Sequence, residues 1–288
     1  MQSPSIDDVI SLEECLFNIS NYDSNEVAAE ISDKWDNLKD HINSILPAAI
    51  NQRRFSYEQF ANVIKALPKF NRLLLNFDMQ IYLRNIESTD ETFNLSLNIF
   101  PEGSIGYAII HDDVDSVIEF SLSPKFFDLK VSFCEADSWT AETFSLIDAA
   151  AYFGSYNVFR FLYVNGFKIT EETVKRSIYG GNIEIAELIS QEGFSFAKYI
   201  KDAIICHRNE IAIWIIEQND EVELDFDLCL RCRNTFLVKY IIESGVYNDS
   251  FMERAVLRRR RDVLQYLIDN GYDNSDSDHE LEQVYYNM

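Results

Sequence analysis

The back two-thirds of the chain repeats one pattern of apolar and polar positions. The segment Gly154-Ser-Tyr-Asn-Val-Phe-Arg-Phe-Leu-Tyr-Val-Asn-Gly166 returns as Gly181-Asn-Ile-Glu-Ile-Ala-Glu-Leu-Ile-Ser-Gln-Glu-Gly193. With the first residue of each copy taken as its anchor, equivalent anchors fall at Asp113, Gly154, Gly181, His207, Arg233 and Arg259. The first interval is 41 residues and the later ones are 27, 26, 26 and 26, so an insertion follows the first unit, at 126–144.

Four residues after the anchor stand Val117, Val158, Ile185, Ile211, Leu237 and Val263; seven after stand Phe120, Phe161, Leu188, Trp214, Tyr240 and Tyr266. Eight after stand Ser121, Leu162, Ile189, Ile215, Ile241 and Leu267. Such spacing lines one face of an α-helix. Twelve after, Lys125, Gly166, Gly193, Asn219, Gly245 and Gly271 occupy the place of a left-handed helix terminator.

A second helix precedes each anchor. Its column four before the anchor reads Ile109, Ala150, Ser177, Ala203, Cys229 and Ala255, small in five of six units, as close helix approach requires. A larger side chain there should overpack, at about 1–3 kcal/mol. Each unit is thus predicted to be a helical hairpin. One hairpin cannot cover its own apolar face, so neighbours are expected to share a continuous core.

The run Ala150-Ala-Tyr-Phe-Gly154, followed by Val158-Phe159, Phe161-Leu162 and a closing Gly166, resembles the ankyrin repeat. With Pro101–Asp115, Leu146–Ala151 and Gly180–Ile185, the region of about 100–271 is similar to a large protist family of ankyrin-repeat proteins that carry a helical segment of unknown role before the repeats. The resemblance implies an all-α, ankyrin-like helical-hairpin solenoid that binds a partner protein on its concave face. Two departures stand out. The unit is 26 residues where ankyrin repeats run to about 33, and the Thr-Pro-Leu-His start is missing. The missing length lies after the closing glycine, so the β-hairpin finger is expected to be shortened or absent.

Three regions follow: a helical N-terminal segment (1–100), about six hairpin units (101–272) and an acidic tail (273–288). In the first, helices are predicted at Asp7–Asn18, at Ser24–Leu46 with Ser24 as its cap, at Ser56–Leu67 and at Pro68–Ile86, Pro68 opening the last. The segment is either a cap over an end of the stack or a separate binding domain, and the irregular first unit fits a junction. Trp139 in the insertion is either a packing residue or part of a binding loop.

Composition narrows the function. A net charge of −23 repels phosphate backbones and anionic membranes, so neither nucleic acid nor membrane insertion is expected. The longest purely apolar run, Ile211–Ile216, is too short for a bilayer span. Five cysteines, an odd number mostly inside helical patterns, suit reduced thiols and a cytoplasmic setting. Cys206-His207 with Cys229-Leu-Arg-Cys232 resembles a metal cluster but lacks zinc spacing, and Cys229 fills the small column. No nucleophile or phosphate-binding motif occurs, so no catalytic residue, cofactor, metal or small-molecule substrate is expected.

In ankyrin proteins the residues just before the anchor face the concave surface. Here the candidates for partner binding are Tyr152, Phe153, Tyr179, Ile205, Arg231 and Leu257, an exposed apolar and Tyr/Arg stripe. Contact with neighbouring units through the shortened loops would instead bury them. Two further readings are an enzyme, with its site in the N-terminal segment or the groove, and a nuclear regulator using Arg258-Arg-Arg-Arg261, which could also receive an acidic partner.

Overall fold

A computed structural model describes residues 4–53, 56–87, 100–133, 141–245 and 250–272. The expectations for Trp139, for 88–99 and for the acidic tail lie outside them. Among the described residues the fold is all-α, with seventeen α-helices and one two-stranded sheet. No helix there is long and apolar enough to cross a membrane. The chain divides into two compact units, residues 94–223 and residues 1–93 with 224–288.

The central unit contains four helical hairpins: α6 (Ile105–Ile110) with α7 (Val114–Ser121), α8 (Leu146–Phe153) with α9 (Tyr156–Val164), α10 (Glu171–Gly180) with α11 (Ile183–Gln191), and α12 (Ile200–Ile205) with α13 (Asn209–Glu217). Inner helices α6, α8, α10 and α12 pack in succession, and outer helices α7, α9, α11 and α13 do the same. Val158, Phe159 and Leu162, Ile185 and Ile189, and Ile211 and Ile215 are fully buried, as the period predicts. Short polar side chains start these helices by accepting orphan backbone N–H groups, Ser145 from Asp148, Thr170 from Thr173 and Asn182 from Ile185.

One residue in the left-handed region turns each hairpin: Asp112, Gly154, Gly181 and His207 here, Arg233 and Arg259 in the other unit. The N–H just after it returns to a carbonyl of the inner helix, Asp113 to Ala108, Ser155 to Ala150, Arg208 to Ala203, Asn234 to Cys229 and Arg260 to Ala255. The first anchor is therefore Asp112, one residue before Asp113. With that correction Ala108 replaces Ile109 in the small column, and all six members are small. The apparent irregularity of the first inner helix was a register error. The terminator column is also narrower than expected: Gly166, Gly193, Gly245 and Gly271 are left-handed, but Lys125 and Asn219 are not.

The connections at 165–170, 192–199 and 218–225 hold no strand, so fingers are absent there. The insertion after the first hairpin, by contrast, forms β1 (Lys130–Phe133) and β2 (Glu142–Ser145), an antiparallel pair with Phe133 opposite Glu142. The alternation of exposed Lys130 and Ser132 with buried Val131 and Phe133 is a half-buried strand pattern, too short to stand out in the sequence.

The second unit contains α1 (Ile6–Phe17), α2 (Ser24–Asp33), α3 (Trp35–Gln52), α4 (Tyr57–Lys65) and α5 (Phe77–Glu87). It also holds the hairpins α14 (Phe226–Arg231) with α15 (Thr235–Glu243) and α16 (Ser250–Leu257) with α17 (Arg261–Asp269). The predicted helix Ser24–Leu46 is two helices, broken at Lys34, and its cap is Asp23, whose carboxylate accepts from Asn25 and Glu26. Pro68 lies in a turn rather than opening a helix, and α5 begins at Phe77. A core from Val9 on α1 to Leu83 on α5 joins these helices, and α1 also packs on α15 and α17.

Candidate partner-binding surface

Tyr152, Tyr179, Ile205, Arg231 and Leu257 share one place, at the end of an inner helix two residues before the left-handed turn, and Phe153 follows Tyr152. The structure sorts them into two groups. Ile205 is 38% exposed, Leu257 is 71% exposed, and Arg231 is also exposed. Tyr179 and Phe153 are half-buried, and Tyr152, at 6%, belongs to the core. The stripe is thus not exposed along its whole length.

The cause is the β-hairpin. Phe133 of β1 stacks on Phe144 of β2 at 4.3 Å and approaches the rings of both Tyr152 and Phe153 at 5.0 Å. Tyr152 also stacks on Tyr179, with centroids 5.7 Å apart. Phe100 adds an edge-on contact to Phe133 and to Phe153. These aromatics form a packed nest that fixes the second and third hairpins and covers part of the inner-helix row.

Backbone carbonyls near the same row are bridged by the residue that follows the turn. Ser155 Oγ donates to the Ile109 carbonyl at 2.5 Å, Asn182 Nδ2 to Gly154 at 3.2 Å, and Arg208 to Tyr179 at 2.6 and 3.1 Å. Asp112 accepts from the backbone N–H groups of Asn157 and Val158. Each is a tie between successive hairpins, so the turn residues are structural.

The tetra-arginine run is not one surface feature. Arg260 is 1% exposed and pairs with Asp262 at 2.7 Å, donates to Thr235 Oγ1 at 2.5 Å and lies 3.4 Å from the Leu230 carbonyl. Arg258 donates to both oxygens of Asp227, at 2.9 and 2.8 Å. Arg259 and Arg261 are exposed.

Arg260 belongs to a buried polar cluster that the sequence did not reveal. Glu13 of α1, 3% exposed, accepts from Thr235 N at 2.8 Å and from its hydroxyl at 2.6 Å. His41 of α3, also buried, places Nε2 3.6 Å from Glu13 and 4.0 Å from Asp262. Burial pushes the Asp262 carboxyl up, but the Arg260 guanidinium outweighs it and leaves Asp262 at about 2. The available signal was positional. Glu13 sits among Val9, Leu12, Leu16 and Phe17, and His41 between Leu38, Ile42 and Ile45, so each is a polar residue on an apolar helical face.

The cysteines have structural surroundings. Cys229 is fully buried in the small column, and burial raises its thiol, as it does that of Cys232. His207 takes the left-handed turn position. Among the described residues no group of three or more His, Cys, Asp or Glu side chains is arranged to hold a metal.

Residues 164–242 match a family described as a domain of unknown function (DUF3447), which is found in ankyrin-repeat-containing proteins. No curated protein and no solved structure matches the chain.

Proposed function

We propose that the chain is a non-enzymatic, cytoplasmic interaction module whose ankyrin-like hairpins hold a partner protein at the ends of their inner helices. One observation carries this reading. At the position two before the left-handed residue, Ile205 in the central unit and Arg231 and Leu257 in the other are exposed, while Ile204 and Leu230, just before the first two, are core. Large apolar side chains exposed at equivalent places suit an interface better than a stability role. Tyr152 now counts as packing and Tyr179 as a partly covered flank.

The experiment compares the immobilised chain with its Ile205→Glu/Leu257→Glu variant for proteins retained from a cell extract. Both sites are exposed, so stability should change by no more than about 1 kcal/mol. Proteins held by the parent chain and lost from the folded variant are expected. The same proteins on both would sink the reading.

The alternatives have less behind them. The titratable cluster best suited to catalysis, Glu13, His41 and Asp262, is buried, and its carboxylates already bind Thr235 and Arg260. An import signal formed by Arg258–Arg261 would need four presented arginines, and Arg260 is inside the core.

A further inference from the structure

Near the end of α16 the second unit gathers three arginines about one carboxylate, that of Asp227. Asp227 of α14 faces three guanidiniums. Arg258 pairs with it at 2.8 Å, Arg231 at 3.2 Å, and Arg254 adds to the field that holds its carboxyl below the ordinary range. Arg231 and Arg258 keep about half of their side-chain surface in water (50% and 40%). Leu257 and Arg259, the chain neighbours of Arg258, are both exposed. All of this sits in a chain of net charge −23.

Stability does not account for the arrangement. Surface ion pairs contribute little, and a second and third guanidinium on one carboxylate contribute less. Crowded arginines beside an exposed leucine do have a use in recognition. The guanidinium fork matches a carboxylate with two parallel hydrogen bonds, and an apolar anchor beside it supplies burial. A long polyanion would meet the acidic remainder of the protein, whereas a short acidic segment can engage the patch alone.

We infer that Arg231, Arg254, Leu257, Arg258 and Arg259 form a docking site for a short acidic peptide segment of a partner protein, with an aliphatic side chain of that segment covering Leu257. The inference rests on the interaction-module reading, but the two fail separately. Extract capture is read without an acidic probe, and the titration below is read without an extract.

The test titrates the full-length chain into a dye-labelled synthetic peptide, Glu-Glu-Leu-Glu-Glu-Leu-Glu, and follows fluorescence anisotropy at low and at physiological salt. Saturable binding that weakens with salt is expected. It should fall at least tenfold in Arg231→Gln/Arg258→Gln and about tenfold in Leu257→Ser, with unchanged circular dichroism. Leu257 is exposed, so its variant stays informative should the arginine pair unfold. The Ile205→Glu chain should bind the peptide as the parent does. Absence of saturable binding, or binding indifferent to these substitutions, would overturn the inference. So would equal binding of a twelve-nucleotide single strand. A tenfold gain when Asp276, Asp278, Glu280 and Glu282 are neutralised to Asn and Gln would overturn it in favour of the chain's own acidic end.

Discussion

Each of the two units is held together internally by different means. In the central unit, hairpins meet through fully buried aliphatic side chains, an aromatic nest and small residues that let helices touch. At the second and third hairpins the contact is so close that a Cβ on Gly180 would lie 2.1 Å from the Ala151 carbonyl oxygen. In the other unit the N-terminal helices join the last two hairpins through Glu13, His41, Thr235, Arg260 and Asp262, a charged cluster inside an apolar surround. Apolar seams tolerate exchange of similar volumes, whereas a buried charge network demands every member, because an orphaned charge is costly. The central unit is therefore expected to respond gradually to substitution and the other unit abruptly.

The sharpest way to break that contrast is Arg260→Met. It strands the buried Asp262 carboxylate and removes a donor to Thr235, and should cost about 3–5 kcal/mol in chemical denaturation. Hydrogen exchange should show lost protection in α1, α3, α15 and α17 and little change in α8 to α11. A cost under about 1 kcal/mol, or equal loss in both units, would refute the distinction. The same cluster sets an acid limit. Asp262 is lowered from the ordinary 3.8 to about 2 in the folded protein. A depressed carboxylate contributes stability above its unfolded value, and the contribution disappears as pH falls from about 3.8 toward 2. Asp262→Asn should flatten that part of the pH–stability profile.

Next in size is Gly180→Ala, where the added Cβ meets backbone rather than a movable side chain. A loss of about 1–3 kcal/mol in thermal unfolding is expected, felt in the central unit. An unchanged transition would mean that the hairpins can slide apart freely. The smallest effect is expected from Arg259→Gly. Arg259 holds a left-handed φ of 53°, which costs a side-chain-bearing residue about 1–2 kcal/mol, and glycine's greater unfolded-state entropy offsets part of the relief. A net gain of about 0.5–1 kcal/mol in urea midpoint analysis would show that arginine is kept there for something other than folding. A loss would assign it a structural contact.

Local periodicity by itself determined the helical hairpins, their apolar columns, the small column and the turn position, because each is repeated at a fixed spacing and recurrence exposes what one copy would hide. It misplaced the first anchor by one residue, where the first unit has neither glycine nor its neighbours' outer-helix spacing. It also marked Tyr152, Phe153, Tyr179, Ile205, Arg231 and Leu257 as one exposed stripe, of which only the last three are exposed. Tertiary structure decided the rest. Whether Tyr152 faces water depended on the insertion, whose Phe133 covers it. Whether four consecutive arginines act together depended on Arg260 finding Asp262. The partnership of Glu13 with Thr235 joins positions 222 residues apart. Such single-copy contacts leave no period along the chain, because they arise only when packing brings distant surfaces together and excludes the water that would otherwise solvate their charges.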